Sequence, residues 1–296
     1  MTRGFRRLLF YISLVIFLVL SYVIVVFALG YKYDFTNNRL VKTGSIEIKT
    51  NVSATVYIND ASMGRVSFIN KAFSQTLLLP KTYSVRVQAD GYYSWQKNVE
   101  VKAGQLANYP MVYLLPSKLP SQFIASTSFN NFSIKFEPNP GLVILTSGRK
   151  TETISLDNGA IASIVPTIKP SQSPNANSNN NNKKIESTDE NKAMWFNNHE
   201  VWIQWLNDSD YQPFRKSGDT ELITRFAQTI NDAQWYKDSS HVVVSVGGIL
   251  KFIEIDTRGE INSFDIIPIT SPFYLDNRTS TIYFFEKNNL EKVNLE

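Results

Sequence analysis

The chain of 296 residues contains no cysteine. That excludes disulfides, cysteine nucleophiles and thiolate metal sites, while leaving the compartment open. Histidine is nearly absent too: only His199 and His241 occur, and neither belongs to a spacing such as HExxH. No GxSxG, SxxK or phosphate-loop motif is present. Gly247-Gly248 has no helical pattern after it, so it reads as a hairpin turn and not a phosphate cradle. Asn207-Asp208-Ser209-Asp210 lacks the glycine and the later glutamate of a calcium loop, and reads as a solvated turn. No catalytic residue, metal ligand set or cofactor is expected, and the chain is read as a non-enzyme. Excess charge is also scarce. Net charge is +4, and Arg3, Arg6 and Arg7 supply most of it. The remainder is near neutral, without the basic footprint of a nucleic-acid partner.

What is present is one long apolar run. From Leu8 to Gly30 no residue is charged. At ~1.5 Å per residue this run reaches ~35 Å, enough for a hydrocarbon core of ~30 Å. Backbone groups left unpaired in lipid cost several kcal/mol each, which forces a helix despite the many β-branched residues. Residues 1–7 carry the arginines and the first acidic residue is Asp34. Basic flanks stay inside, so 1–7 is expected as a cytoplasmic tail and 8–30 as a transmembrane helix, with the bulk extracytoplasmic. Tyr31 and Tyr33 fall where an interfacial aromatic belt lies. A cleaved signal peptide is the rival reading, through Ala28 and Gly30, but the run exceeds the usual ~7–15 apolar residues.

After a polar spacer, 31–43, short alternating runs begin: Gly44–Lys49, Ala54–Ile58, Thr76–Leu79, Tyr83–Gln88, Val99–Val101 and Met111–Leu114. They read as strands of a small sandwich, with Val56, Ile58, Val85 and Val87 facing the core. In order and spacing, residues 44–115 resemble a PEGA domain. The resemblance rests on Gly44-Ser45-Ile46-Glu47-Ile48, Ala54-Thr55-Val56-Tyr57-Ile58-Asn59 with Gly64, Leu79-Pro80 with Tyr83–Val87, Gly91-Tyr92, and Val99-Glu100-Val101 with Gly104. The family's naming tetrapeptide is replaced by Asn51-Val52-Ser53-Ala54, and Asp60 stands where a glycine is usual. The resemblance implies an envelope module and names no ligand.

Residues 116–122 form a linker with two prolines. The remainder, 123–296, shows further strands around a low-complexity segment, 167–192, expected as a disordered loop. Its clearest unit runs from Ile230 to Asp256: a strand start at Trp235, a Lys-Asp-Ser-Ser turn, the strand His241–Val246, the Gly-Gly turn and the strand Ile249–Ile255. Thr281–Phe285 and Leu290–Leu295 form a similar hairpin. This rhythm resembles blades of TolB-like or WD-type β-propellers, at ~40–45 residues per blade, with about four blades' worth of chain. The fold class expected is mainly β: one N-terminal transmembrane helix, a small β-sandwich, then β-propeller-like repeats of antiparallel sheets.

Trp195, Trp202, Trp205 and Tyr211 lie in an aromatic-rich stretch. Packed propeller strands use such residues, and so do platforms on which sugars stack. They are the candidate contact residues for a ligand or partner. The expected partners are the lipid bilayer, through residues 8–30, and an envelope polysaccharide or protein. The function expected is that of a non-enzymatic, single-pass envelope protein binding a wall polymer or a protein. The alternative is a carbohydrate-active enzyme, which needs paired carboxylates ~5–10 Å apart.

Overall fold

The computed structural model describes residues 3–67, 72–137, 141–164 and 184–296. By contact the chain divides into two units, Met1–Val87 with Gln96–Tyr113, and Gln88–Trp95 with Leu114–Glu296.

The first unit opens with helix α1 (Arg3–Ala28), of which no residue is buried. It is long and apolar enough to cross a membrane, a property that an anchor and a signal sequence share. Gly30 follows the helix at φ +81° and its N–H bonds the Phe27 carbonyl, a glycine stop of the usual left-handed kind. The polar spacer expected at 31–43 is instead a hairpin, β1 (Tyr31–Asp34) and β2 (Arg39–Lys42). Its turn is closed by Asp34, whose carboxylate accepts the Thr36 N–H and the Asn37 side-chain amide. Aspartate competes for local backbone donors in this way, and spacing alone did not reveal the turn.

Seven strands follow: β3 (Gly44–Thr50), β4 (Ala54–Ile58), β5 (Ala61–Val66), β6 (Ala72–Leu78), β7 (Thr82–Gln88), β8 (Trp95–Glu100) and β9 (Leu106–Val112). They make two sheets, ordered β6-β3-β9 and β5-β4-β7-β8. Alternation decides which face is buried: Val56, Ile58, Val85 and Val87 are at most 5% exposed. Thr55, Tyr57, Ser84 and Arg86 take the other face, where the Arg86 guanidinium lies 4.4 Å from the Tyr57 ring centre. Where a glycine is usual, Asn59 and Asp60 both adopt positive φ, as a two-residue hairpin turn requires. Gly44 cannot carry a side chain, because a Cβ there would meet the Lys102 carbonyl at 2.5 Å.

Among the described residues, the second unit contains four sheets of four strands. Its first strand in the chain is β10 (Gln122–Ser126). Blade 1 is β11 (Ser133–Glu137), β12 (Leu142–Ser147), β13 (Lys150–Ser155) and β14 (Ile161–Ile164). Blade 2 is β15 (Ile185–Glu186), β16 (Lys192–Phe196), β17 (Glu200–Trp205) and β18 (Thr220–Arg225). Blade 3 is β19 (Ile230–Trp235), β20 (His241–Val246), β21 (Ile249–Glu254) and β22 (Ser263–Pro268). Blade 4 is β23 (Phe273–Asp276), β24 (Thr281–Glu286) and β25 (Asn289–Asn294), completed by β10 at its edge. The first and last strands of the repeat region therefore share one sheet.

Neighbouring blades bury one another. Val201, Ile203 and Trp205 of blade 2 share a core with Val242, Val244 and Ile253 of blade 3. Val143, Leu145 and Ile154 of blade 1 share another with Ala125, Phe285 and Leu290 of blade 4. Between blades 3 and 4, the Tyr236 hydroxyl meets Ser280 Oγ at 3.1 Å, and the Asn277 amide donates to the Trp235 carbonyl. Trp235 closes its strand and does not start it, and its indole N–H donates to the Ile185 carbonyl across blades at 2.8 Å.

That last contact bears on the loop expected at 167–192. Its part up to 183 lies outside the described residues. Residues 184–192 are ordered, contrary to expectation, because β15 pairs with β16 and the Asp189 N–H donates to Ser239 Oγ. The turn before the second strand of blades 2, 3 and 4 is built alike. An aspartate accepts a side-chain hydrogen bond from the residue three positions on: Asp189 from Lys192, Asp238 from His241, Asp276 from Thr279.

Candidate functional site

The aromatic stretch is divided by strand alternation. On β17, Glu200, Trp202 and Gln204 occupy one face, and Val201, Ile203 and Trp205 the other. The hairpin turn at Asn197–Glu200 sets Trp195 of β16 directly opposite Trp202. Their rings are nearly parallel, 7° between planes with centres 6.1 Å apart, and both side chains are half-buried. The two indoles thus stack against one another on a sheet face.

Polar groups flank this pair. The Lys184 ammonium lies 5.4 Å from the Trp195 ring centre and donates to Gln204 Oε1 at 2.6 Å. At the other end, Glu200 Oε2 accepts the Trp202 indole N–H and the Asn197 amide, both at 3.0 Å. Glu200 Oε1 accepts from the Arg225 guanidinium, with Nε at 2.8 Å. The Trp202 indole, Arg225 and Asn197 hold the Glu200 carboxyl down at about 2, well below the carboxylate range. A pocket of about 520 Å³ opens beside this fork, lined by Asn197, Asn198, His199, Glu200, Arg225 and Phe226. The face therefore offers two flat apolar surfaces with donors and acceptors at either end, an arrangement suited to amphipathic, ring-shaped ligands.

Trp205 and Tyr211 are not part of it. Trp205 is 4% exposed, lies in the core shared with blade 3, and has the Arg215 guanidinium 5.4 Å from its ring centre. Tyr211 receives a hydrogen bond from the buried Lys192 at 3.4 Å, in a small recess of about 60 Å³ that Trp205 also lines. Two of the four expected contact residues thus share a face and two pack elsewhere. Glu200, Arg225, Asn197 and Lys184 were not anticipated. The alternation Glu200-Val201-Trp202-Ile203-Gln204-Trp205 carried part of that signal, since Glu200 and Trp202 are two apart and Trp202 and Trp205 three.

Two other polar clusters hold turns in place. His241 is buried, its Nδ1 2.7 Å from Asp238 Oδ2, with its ring stacked on Phe252. Asp208 closes a turn by pairing with Lys216 at 2.7 Å and accepting the Ser217 N–H. Among the described residues no group of three metal-ligating side chains converges. A larger cleft of about 1060 Å³ is lined by residues in or next to blades 1, 3 and 4, among them Phe132, Ser133, Asp232, Ser245 and Phe273. Burial pushes the Asp232 carboxyl up, against hydrogen bonds from Gln234 and the Ala233 N–H. Among the described residues lining this cleft, Asp232 is the only carboxylate.

Comparison with known proteins identifies one part of the chain. Residues 43–111 match the PEGA domain family. The PEGA match coincides with the seven-strand sandwich. No curated protein matches the chain. Among solved structures, the β-propeller domain of Myceliophteria thermophila Cps50 (Swd1) is similar at 10% identity and a TM-score of 0.30, covering 73% of this chain and 66% of that one. The extracellular domain of a protein described as a hybrid two component system of B. thetaiotaomicron is similar at 11% identity and a TM-score of 0.29, covering 90% and 31%. A yeast Nup82-Nup159-Nup116 nucleoporin complex contains a chain similar at 11% identity and a TM-score of 0.27, covering 51% and 39%. The chain spans less than two thirds of each of these structures. The propeller-like reading rests on the strand order of the four sheets of the second unit.

Proposed function

We propose that the chain is a non-enzymatic, single-pass envelope protein whose blade 2 docks an envelope polysaccharide on the Trp195–Trp202 face. The observation that carries this reading is the parallel indole pair, half-buried and flanked by Lys184–Gln204 on one side and Glu200–Arg225–Asn197 on the other. Sugar rings have apolar faces and hydroxyl edges. The indoles take the faces, and the flanking polar groups take the hydroxyls. The PEGA match and the N-terminal apolar helix support the envelope setting. The arginine flank supports an orientation with the blades outside.

In the enzyme alternative, Glu200 would not be the general acid. A glycosidase general acid keeps its proton at neutral pH. Glu200 is held ionised, by the Trp202 indole first and by Arg225 and Asn197 with it. The test uses the full chain in lipid nanodiscs, titrated with purified wall polysaccharide and followed by isothermal calorimetry. Wild type binds; Trp195→Ala with Trp202→Ala abolishes binding, and Trp202→Phe keeps part of it. Unchanged binding by the double variant, or hydrolysis of the polymer, refutes the reading.

A further inference from the structure

We propose that the β1–β2 hairpin is a membrane-interface paddle, whose Tyr31–Tyr33–Phe35–Leu40 face seats in the headgroup–acyl boundary of the bilayer that α1 spans. The inference rests on the reading of α1 as the anchor. Cross-strand register decides the face: Tyr33 pairs with Leu40 and Tyr31 with Lys42, so these four side chains point the same way. Phe35 at the turn packs edge-on against Tyr33 at 5.0 Å and extends the same surface. These apolar groups are open to solvent: Phe35 is 84% exposed, Leu40 49%, Tyr33 41% and Tyr31 37%. Lys32, Asp34, Arg39 and Val41 form the opposite face.

Two facts select lipid as the occupant. The hairpin begins two residues after Leu29, itself 62% exposed just beyond α1, so its apolar residues follow in sequence directly on those of the helix. Its composition, tyrosine and phenylalanine interleaved with lysine and arginine, matches the interface layer, where aromatic rings lie at headgroup level and basic groups meet phosphates. The hairpin is also held at both ends. The Gly30 carbonyl accepts both the N–H and the hydroxyl of Thr43, at 2.8 and 2.7 Å, which ties the hairpin base to the helix end. The Thr43 carbonyl accepts the Gly104 N–H at 3.0 Å, and the Lys42 stem runs over Gly104. A hairpin clamped between helix and sandwich passes its seat on the membrane to the PEGA module. The paddle would set how that module stands over the bilayer.

The absence of native cysteine allows single-site probes. Full-length Tyr33→Cys, Leu40→Cys, Lys32→Cys, Val41→Cys and Ile16→Cys proteins are labelled with an environment-sensitive fluorophore. They are reconstituted into phosphatidylcholine–phosphatidylglycerol vesicles carrying shallow or deep nitroxide lipids. Each variant is first shown to keep the parent tryptophan-fluorescence melt. An interfacial face lies ~5–10 Å into the headgroup boundary, so shallow nitroxides should quench Tyr33→Cys and Leu40→Cys about twofold or more above Lys32→Cys and Val41→Cys. Equal quenching of both faces, or none on either, overturns the paddle. The Ile16→Cys probe separates the two readings. Deep quenching there with an unquenched hairpin removes the paddle and keeps the anchor, whereas no quenching at Ile16→Cys removes both.

Discussion

Leu290→Ala tests the strand exchange that completes blade 4. Leu290 lies on β25 with β10 on one side and β24 on the other, opposite Ala125 and Phe285. It is 0% exposed and packs into the cluster formed with Val143, Leu145 and Ile154 of blade 1. The substitution removes three carbons, ~0.8 kcal/mol each in transfer free energy, or ~2.4 kcal/mol. The cavity adds to this, because strands paired on both sides relax little, and Leu→Ala costs of ~2–5 kcal/mol are usual. About 3–4 kcal/mol is expected here. For a unit of this size each kcal/mol lowers Tm by ~2–4 °C, so the melt should fall by ~6–16 °C. Four of the five tryptophans lie on blades 2 and 3, so a fluorescence melt reads the whole region from a distance. Lys292→Ala, on the same strand, should stay within ~0.5 kcal/mol of the parent. If Leu290→Ala leaves the tryptophan melt unchanged while loosening only β10 and β25 by hydrogen exchange, the blades are not one cooperative unit. The reasoning from shared cores then fails.

In the sandwich, Val85→Ala removes two buried methyl groups from β7 and should cost ~1–3 kcal/mol, read by hydrogen exchange of β4 and β7; no change would mean a wrong register. Deleting residues 184–191 should lower the tryptophan melt clearly, because it removes β15, the acceptor of the Trp235 indole and the bond from Asp189 to Ser239. A parent-like melt would show that β15 contributes nothing. Burial works to raise the Asp189 carboxyl, but the Ser187 hydroxyl, the Asn191 N–H and Lys192 outweigh it and hold it down at about 2. A depressed carboxyl stabilises fully above its ordinary 3.8 and loses that contribution as pH falls through about 2. Acid melts of wild type and Asp189→Asn should therefore differ above pH 3.8 and converge near pH 2. Parallel curves over that window would remove Asp189 as a source of acid sensitivity.

Much of this architecture was legible in the residues. The uncharged run 8–30 pointed to one long helix, since in lipid its backbone would have no other partner, and α1 covers Arg3–Ala28. Period-two patterns assigned Val56, Ile58, Val85 and Val87 to one buried face, because a strand alternates sides at every residue. Gly247-Gly248 marked a turn through residues that tolerate positive φ. Each of these features depends on neighbours within a few positions. What the sequence did not carry was pairing at a distance. That β10 completes the sheet of β25, some 160 residues later, depends on which edge is left unpaired once the other blades have formed, and a ladder of backbone hydrogen bonds has no side-chain signature. The same holds for the aromatic site. Trp202 and Trp205 look equivalent in the sequence, but three positions on a strand put them on opposite faces. Blade 3 covers the face of Trp205, and the register of the Asn197–Glu200 turn brings Trp195 beside Trp202.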